Sequence, residues 1–486
     1  MRVGWLTLPV WLLTLSLGLG CQRPPAMIAA AAADGSTDGG KSDASATDAS
    51  GIDAPGSDAT GSDATGIALL GAPLIFAPTA QGFGLSVVLR SGDPSTLRAA
   101  VRADAQSDWI DLGAPTSPAA DIAQWSIAGL APGRRYAYAI SAKANGPGQP
   151  IYAGSAVTTR AAGSPFTFAI IADPHIEPRD PVPDGTTVID DGYAEQETTL
   201  LAVTAEVAAA NPDFLIDLGD MVDYHLFGFN VPPPDAGWAR LGYLNYRRLL
   251  GDTVGKAAHF PVIGNWDGES GCNTPAEIER SLSQRLLYAP GPGPGTYREG
   301  GSESGDYYAF TWGDALFVVL NVMTYTPTCH LLSGDPGLPD DWTLGGAQLA
   351  WLHQTLANAT SKWRFLFMHH TDGGAAGDSD DSAYGRGGGQ AAHIGEQATI
   401  HDLMLQYGVQ IFFYGHDHVF TDLVVDGIHY TLPGSAGAPW KFDESETGYA
   451  QYWTDSGYGR VDVGPDQALI SFISTSGQVL TSYSIR

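Results

Sequence analysis

The chain has 486 residues, 44% of them hydrophobic, and a formal net charge of −29. That length is enough for two or three domains and at least one sizeable core. The acidity argues against nucleic acid or an anionic lipid surface as partner, because the field of the whole chain repels both, so a phosphate substrate needs a local positive centre such as bound metal.

The first 21 residues hold one positive residue, Arg2, then an apolar run from Val3 to Leu19 broken by Pro9, and reach Gly20 just before Cys21. This layout fits a secretory signal better than a membrane span. It resembles a bacterial lipoprotein signal with Cys21 as the lipidated residue, although Gly18 stands where that signal usually has Leu. The expectation is an exported protein, lipid-anchored to the cell envelope, with an ordinary cleaved signal and secretion as the alternative. Beyond Cys21 only Cys272 and Cys329 remain, a pair that in an exported chain reads as a disulfide, or otherwise as two free buried thiols.

Residues 22–66 are Ala, Gly, Ser, Thr and Asp, with Asp38, Asp43, Asp48, Asp53, Asp58 and Asp63 recurring every fifth residue. Such a segment buries too little to offset its ordering entropy and is expected to be a disordered tether. From 67 to 162 the texture turns to short strand-like runs: Leu85 to Arg90, Leu97 to Ala103, Gln124 to Ala128, Arg135 to Ala142 and Ala153 to Thr159. Their spacing predicts an all-β sandwich. The stretch Gly129 to Tyr136 resembles the turn before a late strand of fibronectin type III domains, where the Tyr packs at a corner. No titratable cluster marks this region, which reads as a spacer or a wall beside a site.

From 163 to 486 buried strands alternate with helices. Phe166 to Ala172, a helix Glu195 to Ala210 with Leu200, Val203 and Val207 on one side, and Phe214 to Leu218 make a right-handed crossover in a parallel sheet. Further helices are expected at Ala347 to Leu356 and Gln397 to Tyr407, and antiparallel strands between Tyr458 and Ile485.

Five apolar runs end in residues that bind cations. The first ends Ala172-Asp173-Pro174-His175, where Pro174 biases Asp173 toward extended backbone, so that Asp173 and His175 face one side. The second ends Gly219-Asp220, and the third, Phe260 to Ile263, ends Gly264-Asn265-Trp266-Asp267. The fourth, Phe365 to Met368, ends His369-His370; one of these enters a site and the other packs or hydrogen-bonds. The fifth, Val409 to Tyr414, ends Gly415-His416-Asp417-His418, two rings spaced to reach one place. Taken singly, each is also an ordinary turn or cap. In open α/β sheets, ligands bind outside such carboxyl strand ends.

Asp-x-His, Gly-Asp, Gly-Asn, His and Gly-His-x-His, in that order, resemble the calcineurin-like metallophosphoesterases from about Phe166 to Ser484. The resemblance implies an α/β sandwich of β-sheets flanked by helices and a dinuclear phosphatase. One metal would lie on Asp173, His175, Asp220 and His418 and the other on Asp220, Asn265, His369 and His416. Asp220, Asn265 and Asp267 are the catalytic candidates. Carboxylates and imidazoles without thiolates suit zinc, manganese or iron, and two ions about 3.5–4 Å apart would activate a bridging water for attack on phosphorus. The partner implied is a phosphate ester. A phosphodiesterase of the same family, or a non-catalytic metal-binding surface protein, are the alternatives.

The family's third motif usually reads Gly-Asn-His, and here Trp266 takes the place of that His. An indole donates a hydrogen bond but cannot deliver a proton at neutral pH. Either His370 or His330 substitutes, or the leaving group departs unaided, or turnover is slow. Arg386, in the Gly-rich stretch 373–389, is either a phosphate contact or a solvated loop charge. A sandwich before a phosphoesterase also resembles the purple acid phosphatases. Their first motif lacks a His at position 175, and their metal-bound Tyr lies where this chain has Asp223, with Tyr224 one later. A colourless dinuclear site is therefore expected.

Overall fold

The computed structural model describes residues 66–143, 145–178, 194–223, 236–269, 273–325, 343–372, 395–438, 440–442 and 444–486. The signal, Cys21, nearly all of the tether, Tyr224, Cys272, Cys329, His330 and Arg386 lie outside them. Among the described residues no helix is long and apolar enough to cross a membrane.

Two sheets pack face to face. In the first, Ala258–Pro261, Phe214–Asp217 and Phe166–Ile171 run parallel, and the C-terminal strands Gly457–Val463, Ala468–Ser474 and Val479–Ile485 extend it antiparallel beyond Phe166–Ile171. The second has parallel Ala315–Val319, Trp363–Phe367, Ile411–Phe413 and Ile428–Pro433, with Tyr308–Trp312 and Phe420–Val425 antiparallel at its edges. Parallel strands covered on both faces need apolar side chains on both, which is why these runs do not alternate. Between the sheets the interior is aromatic: Phe168 stacks on Phe214 at 5.1 Å, and Phe317 meets both edge-on at 5.2 Å.

Helices cover the outer faces. The helix Ala194–Ala210 buries Leu200, Val203 and Val207 as its sequence predicts, and the expected helices near 347 and 397 are found at Gly345–Ala357 and Gly395–Gln406. Ala236–Leu249 and Pro275–Tyr288 add two more; the second starts at a capping box in which the Thr274 amide donates to the Glu277 carboxylate at 2.7 Å.

The N-terminal region is strand-rich. Ile110–Asp111, Leu97–Arg102, Arg135–Ala142 and Tyr152–Val157 form a separate sheet, while Ala68–Leu69, Leu74–Thr79, Gly82–Ser91 and Ile122–Ile127 are hydrogen-bonded into the first sheet. The joint is Leu74–Thr79, parallel to Ala258–Pro261 with Phe76 opposite His259. At the corner, the Ala131 amide donates to the Tyr136 hydroxyl at 2.9 Å. Arg160 clamps Asp213 through two bonds of 2.7 and 2.8 Å, and buried Arg247 donates to the carbonyls of Ser86 and Tyr288, so the two regions share polar as well as sheet contacts.

Candidate metal centre

The strands that begin at Phe166, Phe214 and Ala258 in one sheet, and at Trp363 and Ile411 in the other, all finish at one end of the sandwich. Their C-terminal loops carry Asp173 and His175, Asp220, Asn265, His369, and His416 with His418. Asp173, His175, Asp220, His369, His416 and His418 are all buried.

The backbone there is bent rather than extended. Asp173, His175, Asp220, His416 and His418 have φ between +50° and +75°, a region that costs non-glycine residues on the order of 1–3 kcal/mol each. This corrects the expectation that Pro174 keeps Asp173 extended. Tertiary hydrogen bonds outweigh the local bias: Asp173 N–H donates to Gly219 O at 3.1 Å, and His175 N–H to Asp220 O at 2.8 Å. The Asp220 and Asn265 loops also touch backbone to backbone. A Cβ at Gly264 would lie 2.2 Å from the Asp220 amide nitrogen, so glycine is required there.

Two clusters result. In one, His175 Nε2 lies 3.2 Å from His418 Nε2 and 3.4 Å from Asp220 Oδ2, and His418 Nε2 lies 3.6 Å from Asp173 Oδ1. In the other, Asn265 Oδ1 is 3.1 Å from both His369 Nε2 and His416 Nδ1, and His369 Nε2 is 3.1 Å from Asp220 Oδ2. The seven side chains singled out in the sequence as metal ligands therefore meet, with Asp220 between the two groups. His370 does not enter the centre of the cluster; its ring stacks on His416 at 3.9 Å, although its nitrogen lies within 4.8 Å of those of His369 and His416.

The donors are oriented. His369 Nδ1 donates to Leu218 O at 2.8 Å and His418 Nδ1 to Trp440 O at 3.0 Å, so each ring commits Nδ1 to a carbonyl and turns Nε2 inward. Asp173 Oδ2 is buried with no hydrogen-bond partner among the described residues. A buried, partnerless carboxylate oxygen amid inward-facing imidazole nitrogens fits a bound cation. Burial pushes Asp173 up to about 8, with His369 pulling it down and Asp220 pushing it further up. Burial also opposes ionisation of Asp220, yet His369 and His175 hold it at about 2.

Asp267 stands just behind. Its carboxylate accepts the amides of Gly264 at 2.8 Å, Asp220 at 3.0 Å and Val222 at 3.2 Å, so it ties together the loops carrying Asp220 and Asn265. Asp223 donates its amide to Ile176 O and lies on the loop after Asp220.

The sequence did not point to the segment 440–442. Trp440 packs 5.0 Å from His175 and 5.3 Å from His418, and Phe442 packs 5.2 Å from His418. Lys441 Nζ donates to Ala438 O at 2.9 Å and Ser456 Oγ at 3.2 Å; burial lowers its pKa to about 8, while Asp173, Glu195 and Asp455 favour the cation. The one available signal was the small-residue run Gly434 to Gly437: a Cβ on Gly437 would sit 1.9 Å from Pro174 O, so this run crosses the site at backbone distance.

The family model of calcineurin-like phosphoesterases matches residues 166–420. The chain belongs to that family. It is a phosphoric ester hydrolase by that membership, of a class that usually binds divalent metals. No curated protein matches the chain in sequence. Among solved structures, one titled as that of PhoD is similar over 86% of this chain and 90% of its own, at 15% identity and a TM-score of 0.62. The likeness establishes the shared fold. A dimetal phosphatase from Danio rerio aligns over 66% of this chain and 99% of its own, at 14% identity and a TM-score of 0.44.

Proposed function

We propose that this phosphoesterase is a dinuclear-metal phosphatase acting on phosphate esters. Asp173, His175, Asp220 and His418 hold one ion, Asp220, Asn265, His369 and His416 hold the other, and zinc, manganese or iron suits this oxygen and nitrogen donor set. The observation that carries the reading is the place of Asp220 Oδ2, within 3.4 Å of a histidine nitrogen in each cluster.

Bound ions supply an activated water and positive charge for the phosphoryl oxygens. The chain's own groups do the rest. His369 and His418 keep their protons at Nδ1 against carbonyls and so present basic nitrogens inward. Asp267 is a positioning residue that fixes the amides of both metal-bearing loops. Trp266 offers no proton to the departing oxygen, which favours esters whose alcohol leaves readily.

The test is metal analysis of the purified full-length protein beside its turnover of aryl phosphate mono- and diesters. Two ions per chain with faster monoester hydrolysis are expected. Faster diester hydrolysis reassigns the activity to a phosphodiesterase, and bound metal with no turnover of either ester leaves a metal-binding surface protein.

We also propose export and lipid anchoring through Cys21, on the strength of the leader sequence alone. Replacing Cys21 by Ser in the native host should move the protein from the membrane fraction to the soluble one; an unchanged distribution removes the anchor.

A further inference from the structure

The two halves of the centre are walled differently. Around His175 and His418 stand three large rings: Trp266 meets His175 edge-on at 5.3 Å, Trp440 touches both imidazoles, and Phe442 lies against His418. All three are partly exposed, whereas the histidines they lean on are buried. On the His369 and His416 side the ring contact among the described residues is His370, a polar imidazole. The two indoles are 6.2 Å apart at an interplanar angle of 50°. That is too close for a ring to slide between them, which takes about 7 Å, twice a contact distance of ~3.5 Å. They form a partly exposed corner beside the metal centre.

The corner is held in shape before any ligand arrives. The Trp440 carbonyl is tied to His418, Lys441 is tied to Ala438 and Ser456 on either side of the strap, and Gly437 lies on the Pro174 carbonyl. Trp266 is fixed through its amide, which donates to Asp220 Oδ1 at 2.7 Å. Preorganised apolar rings next to a reacting centre contribute to binding only what the substrate's own substituent brings to them.

We infer that Trp266 and Trp440, supported by Phe442, form the recognition surface for an aryl substituent of the phosphate ester, so that the enzyme selects aromatic esters by contact as well as by the acidity of the leaving group. This inference rests on the phosphatase reading above and names its substrate class. A flat ring packs on the faces of both indoles in offset or edge-on geometry, and a small alkyl group leaves them wet.

The experiment compares binding of phenylphosphonate and methylphosphonate, neither of which can be hydrolysed, to the metal-loaded protein by calorimetry. The phenyl compound is expected to bind on the order of tenfold more tightly. Trp440→Ala should remove most of that preference and Trp440→Phe keep most of it, both with unchanged metal content, since the bond to His418 comes from the backbone. Equal affinities in the parent protein, or a full preference retained in Trp440→Ala, overturn the inference. Turnover is measured separately, on phenyl phosphate and on a fluoroalkyl phosphate of matched alcohol acidity. Preference without turnover removes the phosphatase reading and leaves the aryl site, and turnover without preference does the reverse.

Discussion

Asp220 Oδ2 stands 3.1 Å from His369 Nε2 and 3.4 Å from His175 Nε2, so one carboxylate oxygen serves both halves of the histidine cluster. Its partner oxygen is already committed to the Trp266 amide. Asp220→Asn keeps the size and that hydrogen bond but gives up the charge shared between the halves. The variant is expected to bind at most one ion per chain and to lose about 10³-fold in kcat, some 4 kcal/mol of barrier. Metal analysis with steady-state kinetics checks this; two tightly bound ions in the variant would contradict the bridging role.

Asn265 and His370 compete for one place in the second group of donors. Asn265 Oδ1 is equidistant from His369 and His416, whereas His370 lies flat on the His416 ring. The expectation is that Asn265→Ala loses one equivalent of metal. His370→Phe, which preserves the stack, should keep both and lose less than about tenfold in kcat, the cost of a support rather than a ligand. The opposite pattern of metal content would transfer the ligand role to His370.

The site was legible in the sequence because its chemistry sits on residue types that seldom follow buried strands together, and because parallel strands deliver their C-terminal ends to one edge. The backbone that presents those residues was not. Local preference places Asp173 in extended geometry, and only bonds from a different loop, at Gly219 and Asp220, bend it to a positive φ. The hairpin Phe420–Val425 to Ile428–Pro433 had a signal in its Asp426-Gly427 turn, where both residues take positive φ, but its strands are short and one is partly exposed. The sheet joint between Phe76 and His259 had none, since a single register pair between distant segments leaves no local pattern. The same holds for Trp440: its relation to His418 exists only because Gly437 lets the strap approach Pro174.

His259 makes stability depend on pH in a way that can be isolated. It is fully buried beneath the site and bonded to the Tyr246 hydroxyl at 3.0 Å, and burial, reinforced by Arg247, lowers its pKa from 6.5 to about 3. The unfolded chain therefore binds the proton more readily than the folded one between those values. The stability from the neutral ring is complete above pH 6.5 and is lost as pH falls toward 3. Asp217, bonded to the same hydroxyl, is raised by burial to about 7 and has the opposite dependence, so the wild-type profile alone does not separate them. The difference between variants does. His259→Gln should be less destabilising at pH 5 than at pH 7, by about 1–2 kcal/mol. Urea unfolding midpoints at the two pH values measure it, and an equal loss at both would mean that burial does not lower the pKa of His259 in the folded chain.

Trp266 stands where the family's third motif usually has a histidine. Its amide holds Asp220 and its ring packs on His175, so the residue is built into the centre while its indole has no proton to give at neutral pH. Trp266→His preserves the amide bond and introduces a group that titrates near neutrality. General acid catalysis contributes roughly 10²- to 10⁴-fold where the geometry is right; a gain of about tenfold or more in kcat is expected for alkyl phosphates, whose alkoxides leave poorly, and little for aryl phosphates, which need no help. The same change removes half of the indole corner, so KM for the aryl ester should rise while KM for the alkyl ester holds. Leaving-group series measured on the parent and variant enzymes read both effects at once. A gain of equal size across the series, or none anywhere, would show that the absent proton donor is not what limits this enzyme.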